Sequence, residues 1–449
     1  MKEMMCRAVR VAFAGLFAAG IAGCATKFPT AARQESRLPK QDVVQAAHQV
    51  PVVPPPVLPA GLVSVDDLVA VAVSRNPRIG KATFAIDAAQ GKYLQAGLYP
   101  NPELAANWDE IGDRTGPGGI VNIPRFTQQI VTGRKLSLSQ AVAATEVNQA
   151  TLDLLTERYA VIGGVRAAFY DLYALENRLA ILDELAKLAA DAVKNGKTLL
   201  ENKQIARLDL VQLEVEQARF KAEAEAARQE VPAVRKRLAA VVGDSRLPIG
   251  AIAGPFHELP QYDPDRTVEA VLGSHPEIRT AKVGVERAQA TLRRAEVEPI
   301  PNVTFTTGYI RQYENKSHDF ALGFSAPIPT WNRNQGNIRA AKADLGMAIQ
   351  LVGKVENDLA ERIAAAFRIY GAAIKRAELY RGEILPRAEE TYQLSLAAFK
   401  GGQFEYLRVI AAQRGIAEAR LEYNRALGEA WRAAAELSAL TLEEVWPGK

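Results

Sequence analysis

Four histidines, His48, His257, His275 and His318, and two cysteines, Cys6 and Cys24, supply all the imidazole and thiol of this 449-residue chain. A zinc site needs three or four such ligands converging, and a nucleophilic triad needs a base beside its nucleophile. The spacings here offer neither. The histidines fall on a tether, a linker, a repeat start and a loop, and no glycine-rich phosphate loop is present. His275 precedes Pro276 and reads as a cap or turn residue, not a metal ligand. Acidic residues lie in runs with Lys and Arg, the pattern of solvated helix faces. Catalysis is not expected, nor is a cofactor or bound metal. A net charge of +4 spread along the chain excludes a nucleic-acid-binding block.

One cysteine does have a chemical context. Lys2, Arg7 and Arg10 precede an apolar run over 11–22, which ends in Ile21-Ala22-Gly23-Cys24. This reads as a secretory signal, and the tetrapeptide resembles a bacterial lipobox, whose cysteine becomes the acylated first residue; the alternative is a plain signal peptide with an incidental cysteine. Residues 1–23 are expected to be removed, lowering the net charge from +4 to +2 through loss of three basic residues and Glu3. Ala25 in place of an aspartate implies sorting to the outer membrane. Residues 24–63 then form an acylated, Pro-rich tether (VPVVPPPVLPAG). No later run of 18 apolar residues exists, so any membrane crossing must use closed β-structure.

The elements that follow come in two copies. SRNPRIGKATFAIDAAQGKYLQAGLYPNPEL, from Ser74, aligns without a gap on GSHPEIRTAKVGVERAQATLRRAEVEPIPNV, from Gly273, at an offset of 199 residues. Each copy predicts a Pro-bounded helix, two strands and a long helical hairpin. The repeats span 64–243 and 264–442, with a linker over 244–263 and a C-terminal tail over 443–449. Strands are expected over 102–112 and 120–130, with Pro124 awkward in the second. In the second copy Val303, Phe305, Thr307 and Tyr309 alternate with polar or small residues, as do Phe320, Leu322 and Phe324.

The helices after the strands are long: 134–196 would extend roughly 90 Å. Leu175, Leu179, Leu182, Ala186, Ala189 and Val193 step by 4 and 3 as a coiled-coil seam, with a break at Asn195-Gly196. A returning seam reads Leu208, Val211, Val215, Ala218 and Ala222. In the second copy the chain reverses at Gly401-Gly402, and Val409, Ala412, Ile416, Ala419, Tyr423 and Ala426 form the seam.

The duplicated unit resembles the TolC family of outer-membrane efflux ducts over about 64–440. The resemblance rests on Asn76-Pro77, His275-Pro276, VTGRK (131–135) and PIPTWNRNQGN (327–337). The NRNQGN core is similar to the heavy-metal branch, the outer component of cobalt-zinc-cadmium resistance pumps. The resemblance implies a mainly α-helical homotrimer, its helical barrel continuous with a 12-stranded transmembrane β-barrel built from four strands per chain. It further implies a membrane-fusion adaptor and a proton-driven inner-membrane transporter as partners.

In that arrangement Val303, Phe305, Tyr309, Phe320, Leu322 and Phe324 would meet lipid. Asn302, Thr304, Thr306, Asp319 and Ser325 would line the lumen, and 311–317 would be an extracellular loop. The hairpin reversals would be periplasmic tips. There Asp209 and Arg408, opposite in charge and equivalent in the repeat, are the gate candidates, with Glu405 and Tyr406 as lesser ones. Gln204, Ile205, Gln403 and Phe404 are the adaptor-contact candidates. The rival readings are a drug or solvent duct of the same architecture, a structural periplasmic coiled-coil lipoprotein, and the adaptor itself.

Overall fold

A computed structural model describes residues 61–109, 119–401, 406–444 and Trp446. The signal, Cys24, the tether to residue 60, and Gln403, Phe404 and Glu405 lie outside the described residues.

Each copy begins with two helices: α1 (Val65–Arg75) and α2 (Pro77–Ala96) in the first, α5 (Pro264–Ser274) and α6 (Pro276–Glu296) in the second. The Ser64 hydroxyl accepts from the Asp67 N–H while the Asp67 carboxylate accepts from the Ser64 N–H, a reciprocal capping box that starts α1. Both α2 and α6 open on proline, whose missing N–H costs nothing in the first turn.

Strands β1 (Glu103–Asp109), β2 (Ile120–Ile130), β3 (Val303–Gln312) and β4 (His318–Ser325) form one antiparallel sheet in that order. The two hairpins expected from the sequence therefore share a sheet through β2 and β3, although their strands lie far apart in the chain. Pro124 sits where the β2–β3 register shifts between Asn122 and Arg125, so the residue that cannot donate to a ladder occupies a bulge. Arg311, expected in the loop, instead belongs to β3.

Helix α3 (Lys135–Glu201) and α4 (Arg207–Val242) make the first long hairpin. At 67 residues, α3 extends about 100 Å. It does not break at Asn195-Gly196; the reversal comes after Glu201. Gly196 is buried inside the helix, where an added Cβ would lie 2.7 Å from the Leu213 Cδ1 of α4. Glycine serves close helix approach there, not termination. In the second copy, α7 (Gln335–Leu379) passes through a π-helical turn (Tyr380–Ile384) into α8 (Leu385–Lys400), and α9 (Tyr406–Leu440) returns.

Leu175, Leu182, Ala189 and Val193 are buried as the α3 seam requires, and Val409, Ile416, Ala419 and Ala426 are buried on α9. On α4 the expected seam is the wrong face. Leu208, Val211 and Val215 are exposed, and Leu210, Leu213, Phe220, Ala224 and Ala227 pack inward.

The largest core lies where both copies meet. Tyr170 stacks on Trp431 at 3.9 Å between ring centroids, with Phe169 and Trp446 edge-on to Tyr170. Residues 244–263, expected as a linker, run through this core. Ile249, Ile252 and Phe256 are buried, Ile252 bridges Val63, and the Trp431 indole N–H donates to the Phe256 carbonyl at 2.7 Å. Gly243 closes α4 at φ 110°, and an added Cβ would lie 2.8 Å from the Asn76 Cα. The expected C-terminal tail is anchored too. Trp446 is buried, and the Arg166 guanidinium lies over its ring and donates to the Glu443 and Glu444 carbonyls.

Candidate functional site: the sheet and the helix reversals

The strand register sorts the side chains into two faces. Phe305 lies opposite Phe324, Thr307 opposite Leu322, and Tyr309 opposite Phe320. Across β2 the same face continues through Ile130, Phe126 and Val121, and on β1 through Leu104 and Trp108. All six residues expected to meet lipid thus share one face, and Phe320, Leu322 and Phe324 are exposed on it. Sequence reading missed Leu104, Trp108, Phe126 and Ile130, which are also exposed. The alternation Leu104, Ala106, Trp108 was the available signal, masked by the short strand and by Pro124 in its partner.

The opposite face carries Thr304, Thr306, Asp319 and Ser325, as expected, together with Asn122, Arg125, Thr127 and Gln129. Asn302 serves the base of the sheet: its side-chain oxygen accepts from the Thr132 N–H at 3.2 Å. An apolar face of this size left uncovered needs a non-aqueous neighbour. Among the described residues, β1 and β4 have no strand on their outer edges, and no helix is long and apolar enough to cross a membrane.

At the neck, Lys135 is buried at the start of α3, 3.7 Å from the Glu298 carboxylate that follows α6. Burial pushes the Glu298 carboxyl up, but Arg294 and Lys135 outweigh that and hold it below the ordinary range. The cation thus lies against an anion where the helix N-terminus alone would repel it.

Where the first hairpin reverses, Gln204 is exposed but Ile205 is buried in a cluster with Val193, Leu210, Leu213, Val409 and Ile410. Tyr406 is buried in the same cluster, edge-on to Phe399, and burial raises its phenol pKa. The structure therefore brings Ile205 and Tyr406 together inside one chain and presents neither as a free surface. Asp209 sits in the first turn of α4, where its carboxylate accepts from the Ala206 N–H at 3.0 Å. Arg408 lies exposed in the first turn of α9. A further polar contact escaped the sequence reading: Arg414 of α9 pairs with the buried Glu216 of α4, tying the two hairpins together above the reversals.

The three described histidines make contacts within the fold. His275 caps α6, accepting from the Glu277 N–H, and His257 lies near the Tyr423 hydroxyl. His318 contacts the Tyr309 hydroxyl on the sheet, and His48 lies outside the described residues. No group of three or more His, Cys, Asp or Glu residues could hold a metal ion among the described residues.

Residues 267–441 match the family model described as outer membrane efflux protein. The chain is 26% identical over 391 residues to the cobalt-zinc-cadmium resistance protein CzcC of Cupriavidus metallidurans, covering 84% of this chain and 90% of that one. It is 25% identical over 260 residues to the nickel-cobalt-cadmium resistance protein NccC of Alcaligenes xylosoxydans xylosoxydans, covering 57% and 58%. The fold matches the solved outer membrane protein VceC of Vibrio cholerae with a TM-score of 0.69 at 18% identity, covering 84% of this chain and 96% of that one. The chain thus has the fold of a solved outer membrane protein, and its second copy matches the family described as outer membrane efflux protein.

Proposed function

We propose that three copies of this chain form the exit duct of a tripartite efflux system, passing divalent heavy-metal cations outward through the outer membrane. The observation that carries the reading is the four-stranded sheet, apolar on one face, polar on the other and open at both edges. A sheet with such edges invites pairing with another chain, and closure with identical sheets removes every edge at once. Three sheets of four strands give twelve, within the range of outer-membrane barrels.

The apolar face then meets lipid, the polar face lines the lumen, and α3, α4 and α7 to α9 form the periplasmic tunnel. Similarity to CzcC and NccC favours metal ions as cargo. A duct without soft ligands does not retain them, so selection belongs to a proton-driven inner-membrane transporter upstream. An acyl chain on Cys24 would add an anchor at the membrane surface. At the far end Asp209 and Arg408, with Glu405, hold the entrance closed, and Tyr406 supports them from the packed cluster beneath. Gln204, Gln403 and Phe404 meet a membrane-fusion adaptor, with Ile205 setting the shape of the tip from beneath.

The test is growth of a host with and without this gene, its pump and its adaptor present, across zinc, cobalt, cadmium, nickel and a panel of lipophilic drugs. Deletion is expected to sensitise cells to the metals alone. Sensitivity confined to drugs would keep the duct and overturn the cargo, and no change would favour a structural lipoprotein.

A further inference from the structure

The geometry points to the loop between β4 and α7 as a clasp that seats Ile328 and Trp331 against Leu98 and Tyr99 of a second copy of this chain, at the base of the barrel. The inference rests on the proposed closure of the sheet between copies.

The loop carries the NRNQGN phrase, and its polar residues are engaged with one another. The Asn332 side-chain oxygen accepts from the Asn334 N–H at 3.0 Å, and the Gln335 side-chain oxygen accepts from the Arg333 N–H at 2.8 Å. The Gln335 amide donates to the Trp331 carbonyl at 3.1 Å, and the Asn334 amide crosses to the Ala295 carbonyl of α6 at 2.8 Å. These bonds fix the loop and leave little for a passing ion. What the fixed loop presents is apolar: Ile328 is 82% exposed and Trp331 90% exposed. A pinned loop that holds out a tryptophan and an isoleucine has the composition of an interface anchor.

The counterpart lies at the other edge of the same sheet. Leu98 and Tyr99, just before β1, are 51% and 61% exposed. Strand β4 runs down into the clasp loop, and β1 runs up from Leu98 and Tyr99. The two edges lie three strand spacings apart in one chain, on the order of 14 Å, and become neighbours only when β4 of one copy pairs with β1 of the next. The register sets the level. Ser325 is opposite Thr304, which is opposite Gln129, and extending the β1–β2 register places Asn101 at that level. Three residues beyond Ser325 is Ile328, and three before Asn101 is Leu98.

Lipid is the other apolar environment at this height. Ile328 and Trp331, however, border a cleft of about 520 Å³ that is also lined by Gln129, Asn302 and Thr304. Gln129 and Thr304 belong to the polar face of the sheet, opposite the face that carries Phe305 and Phe324. The clasp therefore opens toward the side away from lipid.

The test uses the full chain in its membrane. Leu98→Cys with Ile328→Cys should give covalent dimers and trimers on oxidation, collapsing on reduction, while each single variant and the parent give none. As a control on closure itself, Ala105→Cys is combined in turn with Ala321→Cys and Gly323→Cys, positions on the two free strands. Trp331 emission, taken as the difference between the parent and Trp331→Phe in vesicles, should resist quenching by brominated phospholipid.

Covalent trimers from the strand pairs but not from the loop pair would overturn the clasp and leave the duct. Strong quenching by the brominated lipid would do the same and assign the loop to lipid. Covalent species from neither set would overturn the clasp and the shared barrel together.

Discussion

His275 shows how a single residue reports both the repeat and its environment. In the first copy Asn76 caps α2, its side-chain oxygen accepting from the Arg78 N–H at 2.9 Å while its amide donates to the Val241 and Val242 carbonyls. His275 takes the same place before α6, with Nδ1 accepting from the Glu277 N–H at 3.3 Å. To accept, the ring must be neutral, and burial lowers its pKa below the ordinary histidine value, with Glu277 opposing and Arg362 assisting. A folded-state pKa below the unfolded one makes this contribution complete above about pH 6.5 and lost as the pH falls through the folded value. His275→Asn should retain the cap and flatten the loss of thermal stability between neutral and acidic buffers. His275→Ala should cost about 0.5–2 kcal/mol at neutral pH; equal acid sensitivity in the parent and the Asn variant would refute the assignment. The cap was legible because proline at the next position limits a residue to an extended backbone and marks the helix start. Ile205 was not, because a turn residue beside a helical reversal can face out or in, and only packing against Leu210 and Leu213 of the returning helix decides it.

At the scale of elements, the two stripes of α4 explain the main misreading. Leu208, Val211 and Val215 repeat with coiled-coil spacing, but Leu210, Leu213 and Phe220 face α3, while Leu208 is 67% exposed. Periodicity identifies an apolar stripe and not its partner, and in the proposed tunnel α4 would have a neighbour on either side. The same ambiguity misplaced the break at Gly196, where local propensity suggests termination but close approach to α4 calls for glycine. The paired strands were read correctly within each hairpin, yet their union through β2 and β3 depends on contacts far apart in the chain. Gly196→Ala places a methyl group where Leu213 now packs, and should destabilise the hairpin by about 1–3 kcal/mol through overpacking. Combined with Leu213→Ala it should cost less than the two single losses added together, because the vacated volume accepts the new methyl. Chemical denaturation of the four species checks this; strict additivity would mean that Gly196 and Leu213 do not compete for space.

For the whole molecule, the question is what would close the proposed tunnel, and Asp209 already has a local duty that must be separated from any gating role. Its carboxylate accepts from the Ala206 N–H and starts α4, so Asp209→Ala removes a cap and a charge together. Asp209→Asn preserves an acceptor near the helix start and removes the charge alone. If opposite charges on Asp209 and Arg408 hold the entrance of an assembled duct, conductance across a planar bilayer should rise for Asp209→Asn, for Arg408→Ala and for the double variant, with the double rising less than the two singles combined. The increase should be smaller in concentrated salt, where the parent's own ionic contacts are screened. If Asp209 acts only as a cap, Asp209→Ala should soften the tip and open it, while Asp209→Asn stays near the parent. Buried Glu216, paired with Arg414, provides a comparison deeper in the wall. Removing one partner of a buried pair leaves the other uncompensated, so Arg414→Ala should lower thermal stability more than Arg408→Ala does. A conductance rise from Arg414→Ala without one from Arg408→Ala would move the latch from the entrance to the contact between the hairpins.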